Sequence, residues 1–285
     1  MKDVNRSSAL YVAEPKNKQV PLVLDSPHSG TDYPENFGYA CDLNVLRRGE
    51  DTYIHELYGN APDQGAKLMA ANFPRSYIDV NRGLNEIDTS MIDGEWDGET
   101  SDSEKAAAGI GLIWRVNQED NNIYDRQLPV NEIKNRIDNC WQPYHDYLQA
   151  TLNEVHSSFG KVVHINCHSM PKVSNESSKE GPGVVRPEFC LGDRYGTTCD
   201  PALTAITKAT LEELGYEVAV NEPYAGVELV RAYSNPSNAR HSLQVEIRRD
   251  LYMDEITFEK SNNFNKLKSD LDVLVERLAS FSADL

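Results

Sequence analysis

A helical pattern that runs directly into a buried strand constrains the fold of this chain more than any other stretch. Apolar residues recur every three or four positions from residue 129 to 159, which predicts a long amphipathic helix that kinks or divides at Pro143. The β-branched run at residues 161–167 predicts a buried strand, which stops at His168 because Pro171 cannot continue a paired central strand. His168 therefore lies at the carboxyl end of a buried strand, where open α/β sheets usually place their chemistry.

Strand and helix patterns alternate along the rest of the chain. The predicted strands span residues 20–24, 67–71, 188–191, 217–220 and 241–248, and the predicted helices span residues 43–58, 201–214 and about 257–278. This alternation predicts an α/β three-layer sandwich, with helices on both sides of a mixed, mostly parallel sheet. Because no repeat or linker interrupts the pattern, we expect residues 1–285 to form a single domain.

A long polar segment, residues 85–111, interrupts this alternation. It is rich in Asp, Glu, Gly, Ser and Thr, and its apolar residues show little periodicity. The pattern predicts a long loop, and loops of this length in compact domains are commonly functional.

The charge of the chain limits the partners that it can bind. It carries 28 Lys and Arg against 45 Asp and Glu, a formal net charge of −17, which argues against nucleic acid and anionic membranes as partners. No run approaches the roughly 18 apolar residues of a transmembrane helix, and the first residues lack the apolar core of a signal peptide. Five scattered cysteines without a Cys-x-x-Cys pair fit a reducing cytoplasm. An anionic substrate would need a local cluster of arginines.

Two histidines at strand ends are candidate metal ligands. His28 follows the strand at residues 20–24, just as His168 follows the strand at residues 161–167. Two imidazoles and one carboxylate are a known ligand set for a catalytic zinc ion, which keeps one position open for water. Glu50 and Asp51 are the candidate carboxylates. Taken singly, each of these residues has a plainer explanation as a hydrogen-bonded histidine or a helix-surface acid.

Glu246 is a candidate general base. It lies between two apolar residues of an alternating strand, which predicts that its carboxyl group is at least partly buried. A buried carboxyl group must be paired or have a raised pKa, and a raised pKa suits a general base. The competing explanation is a salt bridge to Arg240, Arg248 or Arg249.

Several polar side chains are candidates for holding a carboxylate. Asn81 and Arg82 follow one another after a predicted strand, and an arginine can grip a carboxylate through two parallel hydrogen bonds. Further candidates are Arg75, Arg115, Arg231 and Tyr224. A surface turn, exposed arginines and a packed tyrosine would explain the same residues without a ligand.

Seven segments of the chain, taken in order, resemble the N-formylglutamate amidohydrolase family. They are Ser-Pro-His-Ser-Gly at 26–30, Glu-Asp at 50–51, Arg-Ser-Tyr-Ile-Asp-Val-Asn-Arg at 75–82, Trp-Gln-Pro-Tyr-His at 141–145, Cys-His-Ser at 167–169, Asn-Glu-Pro-Tyr at 221–224, and Gln-Val-Glu-Ile at 244–247 followed by Leu-Tyr-Met-Asp-Glu at 251–255. Each piece is short, but the ordered set is specific and covers the chain from about residue 20 to 256.

The family is similar in turn to the zinc carboxypeptidases, which implies a zinc-carboxypeptidase/phosphorylase-hydrolase-like fold. Those enzymes present a histidine, an acid, an Asn-Arg pair, a second histidine, a substrate-side tyrosine and a late glutamate. The matching residues here are His28, Asp51, Asn81, Arg82, His168, Tyr224 and Glu246. One departure concerns the acid, which in carboxypeptidases lies three residues after the first histidine, where this chain has Thr31. The acid must come from elsewhere, and the family resemblance favours Asp51 over Glu50.

The resemblance implies a cytoplasmic, metal-dependent hydrolase that cleaves the formyl amide of N-formyl-L-glutamate to formate and L-glutamate, as in a late step of histidine degradation. Zn²⁺, or another divalent ion, would be held by His28, Asp51 and His168 and would activate water. Glu246 would take the proton of that water and deliver it to the departing amine.

Cationic side chains would complete the implied site. Arg75 or Arg82 would stabilise the oxyanion. The substrate carboxylates would be held by Asn81, Arg82, Arg115 and Arg231, with Tyr224 alongside. The alternatives are a zinc amidohydrolase or carboxypeptidase-like enzyme that acts on another N-formyl or N-acyl amino acid and, from a different class, a non-catalytic protein that binds a small anion.

Overall fold

An eight-stranded sheet lies at the centre of the fold. The computed structural model describes residues 4–6, 9–117, 120–176 and 178–285. The strands in chain order are β1 (Val4–Arg6), β2 (Leu10–Ala13), β3 (Leu22–Ser26), β4 (Lys67–Ala71), β5 (Ile92–Asp93), β6 (Leu128–Pro129), β7 (Val162–Met170), β8 (Phe189–Gly192), β9 (Val218–Val220) and β10 (Arg240–Arg248). β5 and β6 form a separate pair, and the other strands build the large sheet.

The order of the strands in the large sheet is β1-β2-β4-β3-β7-β10-β8-β9. The central strands β4, β3, β7 and β10 are parallel to one another, and antiparallel pairs flank them on both sides. The predicted mixed, mostly parallel sheet is therefore confirmed. Its parallel centre requires cover on both faces, because such strands are apolar on both sides.

The helices supply that cover. They are α1 (Leu43–Arg47), α2 (Ile54–Leu57), α3 (Glu104–Ala107), α4 (Val130–Arg136), α5 (Gln142–Phe159), α6 (Pro201–Glu213), α7 (Glu228–Tyr233) and α8 (Phe264–Asp284). Single 3-10 turns occur at Ala61–Gln64, Thr89–Met91, Pro236–Asn238 and Arg249–Leu251. Among the described residues, no helix combines the length and the apolar character needed to cross a bilayer.

Two apolar cores pack against the two faces of the sheet. Ile165, Cys167 and Val245 belong to the core that α2, α6 and α8 cover. Val23 and Met69 point to the other face and belong to the core that α4 and α5 cover. This arrangement confirms the predicted three-layer sandwich. It also follows from the alternation of side chains along a strand, because every second residue of β7 and β10 faces the same layer.

The predicted helix at residues 129–159 is divided, as its proline indicated. A π-helical turn, Ile137–Trp141, separates α4 from α5, and Pro143 is the second residue of α5. The backbone stays helical across the junction, and the amide of Gln142 donates to the carbonyl of Ile137 in the wider π-helical pattern just before Pro143, which has no amide proton to donate.

The predicted helix at residues 43–58 is wrong over its middle. α1 ends at Arg47 and α2 begins at Ile54, so Glu50 and Asp51 lie in a non-helical break. Two backbone features mark the break. The amide of Asp51 donates to the carbonyl of His28 at 3.0 Å, and Tyr53 adopts a left-handed conformation with φ 68°. Neither feature is compatible with a continuous right-handed helix through these residues.

Other boundaries shift in smaller ways. β7 does not stop at His168 but runs to Met170, because it stays paired with β10 to that point. The last helix begins at Phe264 rather than near residue 257, since the Asp254 carboxylate accepts the amides of residues 256 and 257 and holds a turn there. The segment 85–111 holds only a short 3-10 turn, β5 and α3, in keeping with the predicted loop. The strands β1, β2, β5 and β6 and the helices α3 and α7 were not predicted.

Candidate active site

A cavity of about 540 Å³ lies at the carboxyl ends of the central parallel strands. His28 follows β3, His168 lies near the end of β7 and Glu246 lies near the end of β10. All three line the cavity. Their meeting follows from topology, because parallel neighbours end at the same edge of a sheet and bring remote parts of the sequence together there.

His28, Asp51 and His168 form a compact buried group, called the metal cluster below. One ligand atom from each lies within 4.8 Å of the other two. The Oδ2 atom of Asp51 is 3.3 Å from Nδ1 of His28 and 3.0 Å from Nδ1 of His168. In the described structure the buried Nδ1 atom of His28 makes no hydrogen bond. A buried nitrogen without a partner, beside a second imidazole and a carboxylate, fits a divalent metal ion.

The outer nitrogens of both imidazoles are held by hydrogen bonds. Nε2 of His28 donates to Oδ1 of Asp79 at 2.7 Å, and Nε2 of His168 donates to Oδ1 of Asn166 at 2.7 Å. In a neutral imidazole, such a bond places the proton on Nε2 and leaves Nδ1 free to ligate a metal; both Nδ1 atoms are turned toward Asp51. Burial lowers the pKa of His168, which favours the neutral imidazole that a metal binds.

Asp51 is ionised and firmly oriented. Its Oδ1 atom accepts hydrogen bonds from Nη2 of Arg249 and Oγ of Ser169, both at 3.1 Å, and its Oδ2 atom faces the two histidines. Burial opposes the charge, but the contacts with the imidazoles of His168 and His28 hold the pKa of Asp51 well below its usual range. The carboxylate therefore keeps a negative charge to offer a cation.

Glu50, the other candidate acid, points elsewhere. It accepts hydrogen bonds from the hydroxyl of Tyr33 at 2.6 Å and from Oγ1 of Thr52 at 3.0 Å. Asp51, and not Glu50, lies between the two histidines.

Glu246 lies directly beside the metal cluster. Its Cα is the partner of the Cα of His168 in the register of β10 and β7, and its Oε1 atom accepts a hydrogen bond from Gln244 at 2.9 Å. Burial, and then the negative charge of Asp51, raise its pKa well above the usual value. Arg249, which the sequence offered as a salt-bridge partner for Glu246, pairs with Asp51 instead, at 3.1 Å.

A second buried group of His and Asp lies deeper on the same face of the sheet. Asp25 accepts hydrogen bonds from Nε2 of His164 at 2.9 Å, from Nδ2 of Asn166 at 2.7 Å and from the hydroxyl of Tyr144 at 2.7 Å. Nδ1 of His164 bonds Oγ of Ser242 at 2.7 Å. We call these five residues the structural cluster. Asn166 links it to the metal cluster, because its carbonyl oxygen accepts from His168.

Arg75, Asn81 and Arg82 line the cavity as the sequence predicts. Arg75 donates to Oδ2 of Asp79 from Nε at 3.2 Å and from Nη2 at 2.9 Å, and its guanidinium lies 4.9 Å from the ring centre of Trp114. Arg82 donates from Nη1 to the carbonyl of Asn81 at 2.9 Å. The two guanidinium groups are therefore held rigidly beside the metal cluster.

Arg115 and Arg231 are not brought to this site. Arg115 pairs with Asp88 at 2.7 Å and Arg231 with Glu228 at 2.7 Å, and neither arginine lines the cavity. Each is satisfied by an acid close to it near the surface. The structure therefore gives no support to the expectation that they hold substrate carboxylates.

Tyr224 does line the cavity, and the guanidinium of Arg186 lies 5.3 Å from its ring centre. Burial raises the pKa of Tyr224 to about 12, so its hydroxyl keeps its proton and can donate a hydrogen bond. Sequence reasoning missed Arg186 and Lys105, which also line the cavity, and assigned Arg249 only to Glu246. No local pattern marks Arg186 or Lys105, because both lie in polar segments without a clear period in the sequence.

Comparison with known proteins gives consistent results. The model of the family described as N-formylglutamate amidohydrolase matches residues 20–253. A curated N-formylglutamate deformylase from Pseudomonas putida is 27% identical over 242 residues, which cover 83% of each chain. These matches confirm the resemblance inferred from the seven segments.

Solved structures extend the comparison. The crystal structure of an N-formylglutamate amidohydrolase from Ralstonia eutropha JMP134 superposes with a TM-score of 0.92 and 41% identity, over 97% of this chain and 99% of the other. A protein from Agrobacterium tumefaciens superposes with a TM-score of 0.68 and 19% identity, over 96% of each chain, and shares the fold alone.

Proposed function

Because the chain belongs to the N-formylglutamate amidohydrolase family, we propose that it is a metal-dependent enzyme that hydrolyses N-formyl-L-glutamate to formate and L-glutamate, the reaction expected late in histidine degradation. The names of its curated relatives support this substrate. The observation that carries the proposal is the buried cluster of His28, Asp51 and His168 with Glu246 on the neighbouring strand. A binding protein would have no need of a buried general base beside a metal site.

The metal in this proposal is Zn²⁺, for which two imidazoles and a carboxylate are a common catalytic ligand set. His28, Asp51 and His168 would hold it, with Asp79 and Asn166 fixing the imidazoles and Arg249 fixing the carboxylate. When bound, the metal polarises the formyl oxygen and lowers the pKa of a water molecule.

Glu246 transfers a proton from the attacking water to the leaving nitrogen. It takes a proton from the attacking water as the water oxygen bonds to the formyl carbon. The same carboxyl group then gives that proton to the nitrogen as the C–N bond breaks, so that the amine leaves as L-glutamate and the acyl group as formate. A pKa raised by burial suits both steps, because the carboxyl group must gain and lose a proton near neutral pH.

Arg75, Asn81 and Arg82 hold the negative charges of the substrate. Arg75 faces the developing oxyanion, and its bonds to Asp79 keep the guanidinium in place without reorganisation. Asn81 and Arg82 hold the α-carboxylate, which lies on the carbon bonded to the scissile nitrogen. Tyr224 contributes a neutral hydroxyl donor at another part of the wall.

The test is formate release from N-formyl-L-glutamate by purified protein, before and after removal of metal with a chelator and after return of Zn²⁺. We expect release that is lost with the metal, restored by zinc, and much faster than with N-formyl-L-leucine. Absence of release from zinc-loaded protein would refute the proposed substrate. Equal rates with the neutral compound would instead favour a general N-formyl amino acid hydrolase.

A further inference from the structure

The cations that line the cavity differ in whether an acid neutralises them. Arg75 pairs with Asp79 at 2.9 Å, Arg186 with Glu180 at 2.8 Å and Arg249 with Asp51 at 3.1 Å. These arginines are parts of the wall, and their acids hold them in place. A cation without such an acid has a different role, because it leaves a positive charge for a ligand to meet.

Lys105 is such a cation. It lies on α3 and lines the cavity with a half-buried side chain. Within residues 4–6, 9–117, 120–176 and 178–285, its ammonium group makes no hydrogen bond or ion pair. Burial, followed by repulsion from Arg82, Arg75 and Lys179, lowers its pKa, and neighbouring Glu104 offsets this only in part. Like charges gathered around a half-buried amine favour the entry of an anion.

The backbone that carries Lys105 is well fixed. Oγ of Ser103 caps α3 by accepting from the amide of Ala106 at 3.4 Å, and it donates to Glu86 at 2.6 Å. Gly111 packs so closely that a Cβ atom there would lie 2.3 Å from the carbonyl oxygen of Glu86. The segment 85–111 thus holds Lys105 at one place on the wall.

Lys105 lies where the cavity adjoins a second groove. Lys105 and Arg82 both also line an adjoining groove of about 340 Å³, and none of the three residues of the metal cluster does. In an N-formyl glutamate bound with its formyl group at the metal cluster, the α-carboxylate is near the scissile nitrogen and the side-chain carboxylate reaches farther out. Arg82 follows Asn81, whose Nδ2 atom lies 3.2 Å from Nε2 of His168, so Arg82 is placed for the first carboxylate and Lys105 for the second.

We propose that Lys105 binds the side-chain carboxylate of the substrate and sets the preference of the enzyme for acidic N-formyl amino acids. This inference rests on the proposed function. It assigns a role to the segment 85–111, which supplies the specificity residue while the strands supply the chemistry.

The test compares zinc-loaded wild type, Lys105→Met and Lys105→Arg on N-formyl-L-glutamate and its neutral isostere N-formyl-L-glutamine. We expect Lys105→Met to lose about tenfold to a hundredfold in kcat/KM for the glutamate compound, mainly through KM, as loss of a charge-assisted contact predicts. The glutamine compound should be unaffected, and Lys105→Arg should restore most of the preference. Lys208→Met, which removes an exposed lysine of α6 paired with Glu212, is the matched control.

Binding of the products separates this inference from the proposed reaction. Calorimetry with L-glutamate and L-glutamine measures the same preference without turnover. Loss of the preference for L-glutamate in Lys105→Met supports the assignment even if the wild type released no formate. A preference retained by Lys105→Met, or an equal loss for both compounds, would overturn it.

Discussion

The metal cluster and the structural cluster use the same residue types on the same face of one sheet, and they differ in whether their polar atoms are satisfied. In the structural cluster both nitrogens of His164 and both oxygens of Asp25 have hydrogen-bond partners. In the metal cluster the buried Nδ1 atom of His28 has none among the described residues. Buried His and Asp are therefore not enough to identify a functional site. An unsatisfied ligand atom facing a cavity distinguishes it.

Position along the strand explains the difference. His164 and His168 lie on the same face of β7, but His164 lies four residues earlier and is covered by Tyr144 of α5 through Asp25. His168 lies near the carboxyl end, where the cavity begins. The same histidine side chain supports the core when it is covered and offers a nitrogen to a ligand when it reaches the sheet edge.

The largest expected effect comes from His168→Ala, which removes one ligand of the metal cluster. We expect zinc affinity and activity to fall by more than about a hundredfold, since loss of a partner that merely orients a ligand already costs that much. Zinc content per chain, measured by mass spectrometry after dialysis, checks this. Unchanged zinc content would show that the ion is held elsewhere.

Glu246→Gln should separate chemistry from metal binding. The amide has almost the same shape but cannot accept the proton of water, so kcat should fall by about 10² to 10⁴-fold while zinc content stays at the wild-type level. Parallel measurement of kcat and zinc checks both parts. Full activity of this variant would rule out Glu246 as the general base.

His164→Ala should break the structural cluster and spare the metal. Removing the imidazole leaves Asp25 with an uncompensated buried charge, which should lower the free energy of unfolding by about 3 kcal/mol. Urea unfolding of the zinc-loaded protein measures the loss. His156→Ala, on the outer side of α5, is the control, with an expected change below about 0.5 kcal/mol. Loss of zinc from His164→Ala would mean that the two clusters are not separable.

Asn166→Ala tests the link between the clusters. Its side chain orients His168 through one atom and donates to Asp25 through the other. We expect zinc affinity to fall by about tenfold to a hundredfold, as is usual for a group that orients a metal-bound histidine. Competition with a chromophoric chelator measures the affinity. An unchanged affinity would confine Asn166 to the structural cluster.

The smallest expected effect is a pH dependence of stability that comes from Asp25. Burial opposes its charge, but His164, Tyr144 and Asn166 together hold its pKa below the usual value. A lowered pKa in the folded state stabilises the protein above the unfolded pKa of about 3.9, and this stabilisation is lost as the pH falls through the folded pKa. The difference in unfolding free energy between wild type and Asp25→Asn should therefore be constant above about pH 5 and shrink below pH 4. A constant difference down to pH 3 would contradict this assignment.

Much of the site could be predicted because its residues lie on regular elements. The strand patterns located His28 and His168 at strand ends and Glu246 within a strand, and parallel strands bring their ends together at one edge of the sheet. The apolar neighbours of Glu246 correctly indicated a buried carboxyl group. His164 shows the limit of this reasoning, because the same pattern gave no sign that it belongs to a satisfied network beneath α5.

The sequence by itself determined which candidate catalytic residues lie on strands or just after them, since alternation and strand ends are local properties of the chain. Only the tertiary structure decided which side chains meet. In the structure the predicted helix is broken, and Asp51 rather than Glu50 lies between the two histidines. Arg115 pairs with Asp88 outside the site, whereas Lys105 lines the cavity. The physical reason is that these outcomes depend on hydrogen bonds and ion pairs between segments remote in sequence, which no local pattern records.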